Sequence, residues 1–297
     1  MTPQRAFPIT FLGVAMCMFL ATAVHGQGTD DQVDVLSTIE WKIGPYTAEL
    51  GTIAQIKLPE DFQFAGPDDT RLLLEAMQNP TSGSELGFVA APPQSAPSGS
   101  TPWFVIFSFD AMGYVQDDEK DSLDADATLQ SIREGAAQSN NERSKRGWPS
   151  LEVVGWEEPP NYDPETNNLV WAVRFQSEGI PVVNYNTRLL GRNGVMVVNL
   201  IVEPDQLAAA VPDFKELLKG YSFNPGGRYS EYRAGDKIAK YGLMALVAGG
   251  AGAVAVKSGL LKSLWKFIVI GAIAVVAFFR KLFWGFFGGR TATESDT

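Results

Sequence analysis

The chain has 297 residues, of which 45% are hydrophobic and 20% are charged, so its apolar content excludes a largely disordered polypeptide. Its net charge of −10 is unevenly divided: residues 27–240 carry 32 acidic and 17 basic side chains, whereas residues 241–297 carry 2 acidic and 6 basic ones. The acidic part lacks the clustered Lys and Arg side chains that neutralise phosphates, which excludes nucleic acid as a partner.

The first 26 residues have the pattern of a secretory signal peptide. Arg5 supplies the positive charge, residues 9–24 form an apolar run, and small residues offer cleavage after Ala23 or after Gly26. The run is short for a membrane span, which takes about 20 apolar residues. We therefore predict that residues 1–26 are removed during export.

The one cysteine and the one histidine of the sequence, Cys17 and His25, both lie in this predicted signal. Without them the mature chain has no thiol nucleophile, no Cys/His zinc site and no histidine base. The sequence accordingly predicts no cofactor, no metal site and no catalytic residue, and it favours a protein that is not an enzyme.

An acidic linker over 27–40 precedes the predicted exported domain, residues 41–227. The first part of this domain is predicted to contain two strands, a helix, a loop, a strand and a second helix, in this order: 46–50, 52–58, 67–78, 80–102, 103–109 and 126–146. The loop is predicted from its many Pro, Ser and Gly residues. The acidic run 117–126 is predicted to be solvated and to stabilise the N-terminal end of the second helix.

The clearest pattern lies in residues 169–202. Three strand-like runs are separated by turn residues: 169–175, 180–190 and 195–202. Asn193–Gly194 favours a tight hairpin turn, so an antiparallel meander is expected. A helix over 205–219 follows, with a kink or a restart at Pro212. Strands and scattered helices without regular βαβ alternation predict an α+β fold, an antiparallel sheet with flanking helices.

A polar juxtamembrane bridge at 228–240 leads into a predicted membrane segment, 241–288, and a polar tail, 289–297. Within this segment, residues 264–283 are long enough to span a bilayer. Aromatic and basic side chains stand near the two ends of this span, where the membrane interfaces are expected: Trp265, Lys266, Arg280, Lys281 and Trp284. The predicted location of the body is the outer face of a membrane, with the lipid bilayer as a partner. In a bacterium this is the periplasmic face of the inner membrane.

The first part of the membrane segment, residues 241–256, leaves two alternatives open. It forms either a short first span, paired with the second as a hairpin, or a helix on the membrane surface. Small residues at Ala245, Gly249 and Ala253 allow close packing of helices in lipid and, with it, a homo-oligomer. The positive-inside rule does not decide between the alternatives, because each places basic residues on the wrong side.

Several stretches of the sequence are recognisable together: GPYTAELGTIAQIKLPEDFQF (44–64), MQNP (77–80), GW with YD (155–163), LVWAV (169–173), NYNTRLLGRNG (184–194) and AGDKIAKYGLMALVAGG (234–250). Over residues 40–290 the chain resembles DUF2167, a family of bacterial membrane-anchored proteins of unknown function. The resemblance implies an envelope protein and supplies no activity. The meander, the helix and the Phe-containing exit are also similar to PsbP/Mog1-like sandwiches, an analogy of fold alone.

Residues 155–163 contain the densest mixture of aromatic, acidic and proline residues. They supply the candidate surface: Trp156, Glu157, Glu158, Tyr162 and Asp163. Carboxylates beside aromatic rings suit the binding or cleavage of carbohydrate. The favoured interpretation is structural, with turns at Pro159–Pro160 and at Asp163–Pro164, and with Trp156 and Tyr162 packed on the sheet.

A second polar set lies on one strand: Asn184, Tyr185, Asn186 and Arg188. These residues are expected on the outer face of the sheet, with a polar groove as the alternative. Three hypotheses for function follow from the sequence. The first is a non-enzymatic module that binds an unidentified protein partner or ligand outside the membrane. The others are a carboxylate-dependent hydrolase of envelope glycans and a membrane assembly of packed helices that the body caps.

Overall fold

The structure is a computed structural model of the chain, and it describes residues 38–97, 102–121 and 123–247. The predicted signal peptide and the predicted span at 264–283 lie outside the described residues, and so do Gly249, Ala253 and the five predicted interface residues. Among the helices that the structure describes, none has the length and apolarity needed to cross a bilayer.

The strands are β1 (Lys42–Ile43), β2 (Tyr46–Leu50), β3 (Ala54–Leu58), β4 (Gln63–Ala65), β5 (Glu85–Ala90), β6 (Phe104–Asp110), β7 (Glu152–Asp163), β8 (Asn168–Ser177), β9 (Ile180–Leu190), β10 (Val195–Val202) and β11 (Tyr221–Phe223). Within the described residues the α-helices include α1 (Pro67–Ala76), α2 (Ala125–Lys145), α3 (Leu207–Lys219) and α4 (Leu243–Val247). The expected meander is β8, β9 and β10.

Two antiparallel sheets form the core of the fold. The large sheet has the strand order β1-β4-β5-β6-β10-β9-β8-β7, and the small sheet has the order β11-β3-β2. The prediction of an α+β fold with an antiparallel sheet and flanking helices is confirmed for the described residues. Alternate residues of a strand point to opposite sides of its sheet, so the large sheet has two faces, called face A and face B below.

Face A packs against the small sheet and α3. This layer buries side chains from all three parts, among them Ala48, Ile56, Phe107, Tyr185, Leu200, Phe214 and Leu217. Face B is covered in two places. Helix α1 covers one end, around Leu73 and Phe88, and helices α2 and α4 cover the other, around Trp171, Leu243 and Leu246. Removing these apolar surfaces from water is the main force that stabilises the fold.

The prediction of a loop over 80–102 is wrong for the middle of this range. Residues 85–90 form β5, which lies inside the large sheet between β4 and β6. Phe88 and Val89 are buried there. The strand begins after a turn in which the Glu85 carboxylate accepts hydrogen bonds from the backbone N–H groups of Ser82 and Gly83. The turn residues dominate the composition of 80–102 and hide a short apolar strand.

The expected turn at Pro159–Pro160 and one of the two alternatives at Pro212, the restart, are also wrong. Pro159 and Pro160 lie within β7 and do not form a turn. This strand is at the edge of the large sheet, and its pairing with β8 is irregular, which is where a strand tolerates proline. Pro212 lies inside α3, and the helix does not restart there. The expected acidic support of α2 is confirmed, because Asp124 is its N-cap and accepts a hydrogen bond from the N–H of Ala127.

The predicted polar bridge, residues 228–240, packs on the body. The Tyr229 hydroxyl donates to the backbone oxygen of Val115 over 2.8 Å. Further along, Arg192 and Asp236 form a two-fold ion pair in which both distances are 2.7 Å. Helix α4 follows at once, with Leu243, Ala245, Leu246 and Val247 buried. The first residues of the run 241–256 thus lie against face B of the sheet.

The Arg192–Asp236 pair gives the attachment of this segment a pH dependence. Hydrogen bonds from Arg192 and from the backbone N–H of Arg233 lower the pKa of Asp236 from 3.8 to about 2. Because the folded pKa is depressed, the pair stabilises the fold above about pH 4 and loses this effect as the pH falls toward 2. The melting-temperature difference between wild type and Asp236→Asn should therefore shrink between about pH 5 and about pH 2.

The exposed Asp118 supplies the control for this experiment. Asp118→Asn removes an equal charge, and its melting temperature should follow that of wild type at every pH. A melting-temperature difference between wild type and Asp236→Asn that stays constant across this pH range would contradict the stabilising effect assigned to the Arg192–Asp236 pair.

Candidate functional site

A cleft of about 790 Å³ opens between α3 and β11 on one side and strands β7, β8 and β9 on the other. It lies on face A, because the small sheet has three strands against eight in the large sheet and does not cover its far edge. This volume is within the range of small-molecule sites. The residues that line it include Glu158, Asn161, Asp163, Asn168, Val170, Tyr185, Thr187, Leu189, Phe214, Lys215, Leu218, Lys219, Tyr221, Phe223 and Arg228.

Two buried hydroxyl groups line the cleft without a hydrogen-bond partner in the described part of the chain: Thr187 Oγ1 and Tyr221 OH. The Thr187 side chain comes from β9, and its residue is 2% exposed. A buried polar group without a partner costs about 1–3 kcal/mol. Trp103 Nε1 and the Gln206 amide are further buried groups without a partner in the described residues, and they lie away from the cleft. At the cleft, two such groups lie together.

Burial also raises the pKa of Tyr221. For Tyr185 it raises the pKa to about 12, with nearby Glu158 adding to the effect. Both phenols therefore stay protonated at neutral pH, and the Tyr221 hydroxyl keeps its proton for donation.

The walls of the cleft are aromatic and its rim is charged. The rings of Tyr185 and Phe214 meet edge-to-face with centroids 5.9 Å apart, and those of Tyr221 and Phe223 meet similarly at 5.3 Å. On the rim, two carboxylates and two amides lie on β7 and β8: Glu158, Asp163, Asn161 and Asn168. Three basic side chains line the opposite side: Lys215, Lys219 and Arg228. The cleft thus combines apolar walls with a rim that carries acidic, amide and basic side chains.

The candidate surface predicted from residues 155–163 is divided between the two faces of the sheet. Glu158 and Asp163 line the cleft on face A. Trp156 and Tyr162 lie in the cluster of face B. There, the Trp156 indole donates to the backbone oxygen of Ala125, and the Tyr162 hydroxyl donates to Asp117, both over 3.2 Å. The five residues therefore do not form one surface.

Two of the three carboxylates in this set are already engaged. Arg174 donates to both oxygens of Glu157, over 2.8 and 2.9 Å. Asp163 closes a turn by accepting from the Thr166 hydroxyl and the Glu165 N–H, and these hydrogen bonds lower its pKa. A general acid needs a raised pKa instead. The geometry is better suited to ligand binding than to proton transfer.

The second polar set, on β9, is also divided. Asn184, Asn186 and Arg188 lie on face B, because Asn186 pairs with Trp171, which packs there. Tyr185 points the other way, into the core of face A, so the expectation that all four share the outer face is wrong. Within the described ranges there is no cluster of three or more Asp, Glu, His or Cys side chains that could hold a metal ion.

Comparison with known proteins places the chain in context. The model of a protein family of unknown function, DUF2167, matches residues 42–280. No curated protein matches the chain significantly. Similar solved structures include cyanobacterial PsbP (CyanoP) from Synechocystis, with 7% identity, a TM-score of 0.35 and coverage of 63% of this chain and 92% of that one.

The similar structures also include Mog1p, a Ran-binding protein of Saccharomyces cerevisiae, with 11% identity, a TM-score of 0.33 and coverage of 66% and 100%. The protein of unknown function PA94 from Pseudomonas aeruginosa has 14% identity, a TM-score of 0.29 and coverage of 61% and 97%. These are likenesses of fold and carry no information about activity.

Proposed function

We propose that this chain, which belongs to the DUF2167 family of proteins of unknown function, is a membrane-tethered binding module of the bacterial envelope. Its ligand site is the cleft on face A, and its ligand is a segment of an envelope glycan. The observation that carries this proposal is the pair of buried hydroxyls, Thr187 Oγ1 and Tyr221 OH, that lack partners beside aromatic walls.

A sugar chain matches the chemistry of the cleft. Sugar rings present C–H groups on their faces, which pack on partly exposed aromatic side chains such as Tyr221 and Phe223. Their hydroxyl and amide groups both donate and accept, as do the hydroxyls of Thr187 and Tyr221. The rim adds Asn161 and Glu158, whose oxygens accept hydrogen bonds. A purely apolar ligand would leave both buried hydroxyls unsatisfied.

A glycan hydrolase is the second hypothesis from the sequence, and the carboxylates give it less support. Such an enzyme uses two carboxyl groups that flank one bond. Glu157 is held by Arg174, and the lowered pKa of Asp163 favours its charged form. Of the predicted carboxylates, Glu158 and Asp163 line the cleft, and Asp163 is used in closing its own turn. Binding without cleavage is the function that these contacts favour.

The location proposed for this module rests on the sequence. Residues 1–26 have the pattern of a signal, and 264–283 have the length and the flanking residues of a span. Helix α4 is the last described element and precedes that segment along the chain. The body would then face the periplasm, where envelope glycans are found.

Cysteine labelling tests this location. The predicted mature chain has no cysteine, so a Gln138→Cys variant carries a single thiol at an exposed position of α2. In cells with a permeabilised outer membrane, a membrane-impermeant maleimide should label this variant and leave the wild-type protein unlabelled. Labelling of Gln138→Cys that requires lysis of the inner membrane would contradict export.

Calorimetric titration tests the ligand. The probe is chitotriose, a short oligomer of N-acetylglucosamine, added to the full chain in non-ionic detergent. Leu218→Trp should abolish binding, because the indole fills the cleft. Leu72→Trp adds the same bulk at an exposed position of α1 and should bind as wild type does. Absence of binding to wild type, or equal binding to Leu218→Trp, would contradict the proposal.

A further inference from the structure

Face B carries a polar strip that the cleft does not use. Three side chains of β9 contribute to it: Asn184, Asn186 and Arg188. In the sheet register Asn186 lies between Trp171 of β8 and Asn199 of β10. All of these residues therefore project from the same side of the sheet, opposite to the cleft.

Arg188 is held in a fixed position within this strip. Its guanidinium carbon lies 4.5 Å from the centre of the Trp171 ring, a cation–π contact. One of its nitrogens, Nη1, donates to Asn199 Oδ1 over 3.1 Å and to the backbone oxygen of Thr187 over 3.2 Å. These contacts orient the plane of the group and use one of its three nitrogens.

The charge of Arg188 is not matched by a carboxylate in the described part of the chain. Arg174 and Arg192 each form a two-fold ion pair, with Glu157 and Asp236. No such pair is formed by Arg188, although Asp110 acts on it through space. Burial lowers the pKa of Arg188 to about 9, so the group is still charged at neutral pH. The residue is only partly buried, so its unmatched charge favours a negatively charged partner that arrives from solvent.

We propose that Arg188, flanked by Asn186 and Asn199, binds an oxyanion, either a carboxylate or a phosphate group, on face B. The guanidinium has five N–H donors in a planar fork that matches the two oxygens of such a group. Stacking on Trp171 keeps that fork in place, and the amides supply further donors at its sides. This site lies on the opposite face from the cleft and is independent of the glycan proposal.

Thermal melting of the full chain in non-ionic detergent tests this site. Sodium phosphate and sodium acetate are the probes, each compared with sodium chloride at equal ionic strength. At ten times the dissociation constant of the better probe, the melting temperature of wild type should rise by about 3–6 °C above that in chloride. The probe with the larger effect identifies the class of anion.

Three variants make the result specific. Arg188→Met removes the charge but keeps an apolar stem on Trp171, and it should show no rise beyond chloride. Arg188→Lys keeps the charge without the fork and should show a smaller rise than wild type. Arg133→Met removes an exposed arginine of α2 and should respond as wild type does. Absence of a rise in wild type, or an equal rise in Arg188→Met or Arg188→Lys, would overturn the proposal.

Discussion

Replacing Leu243 by alanine is expected to lower the free energy of unfolding of the body by about 2–5 kcal/mol. The Leu243 side chain is fully buried in α4, in one cluster with Val115, Trp171 and Val195. Truncating it removes apolar contacts and leaves a cavity that the surrounding side chains fill incompletely. Urea denaturation of the full chain, followed by tryptophan fluorescence, measures the change.

This experiment also distinguishes packing on the body from a position in lipid for residues 241–247. If these residues lay in lipid, Leu243→Ala would leave the stability of the body unchanged, and that result would contradict the packing of α4 on face B. Leu72→Ala is the control, because Leu72 lies on α1 with 44% of its surface exposed. Its effect should stay within about 0.5 kcal/mol.

Removing either unpaired hydroxyl of the cleft should make the protein more stable when no ligand is present. Thr187→Val and Tyr221→Phe keep the shape of the side chain and remove a buried polar group without a partner. Each should raise the free energy of unfolding by about 1 kcal/mol. The direction is informative, since most substitutions of buried residues destabilise a fold. Urea denaturation measures both variants.

Thr70→Val is the matched control for these two variants. Thr70 is as buried as Thr187, but its hydroxyl donates to the backbone oxygen of Gly66 over 2.7 Å. Removing a partnered hydroxyl should lower the free energy of unfolding by about 1 kcal/mol. If Thr187→Val and Tyr221→Phe lose stability as Thr70→Val does, then their hydroxyls have partners and the cleft loses its strongest support.

The sequence predicts the parts of this fold whose local pattern and final environment agree. The meander of β8 to β10 has long apolar runs and a favourable turn at Asn193–Gly194, and it forms as expected. The strand β5 was hidden because six strand residues lie among many Pro, Ser and Gly residues. The average composition of such a window predicts turns. The pairing of β5 with β4 and β6 instead depends on distant parts of the chain.

The cleft could be predicted in part. Glu158 and Asp163 were chosen as candidates from a dense local motif. Alternate strand residues point to opposite faces, and the pairing of β7 shifts on both sides of Glu158, so the motif does not stay together. A weaker pattern in the sequence could have pointed to Thr187. It is a polar residue on a side of β9 that otherwise carries Val183, Tyr185 and Leu189. Tyr221 has no local signal, because β11 reaches the cleft through its pairing with β3.

We propose that the hydroxyls of Thr187 and Tyr221 are held for a ligand. The most direct test is the melting temperature of the double variant Thr187→Val/Tyr221→Phe, with and without saturating chitotriose. Wild type should melt at a higher temperature when the sugar is added, whereas the double variant should start above wild type and not respond. A double variant that starts below wild type, or that gains as much as wild type from the sugar, would contradict it.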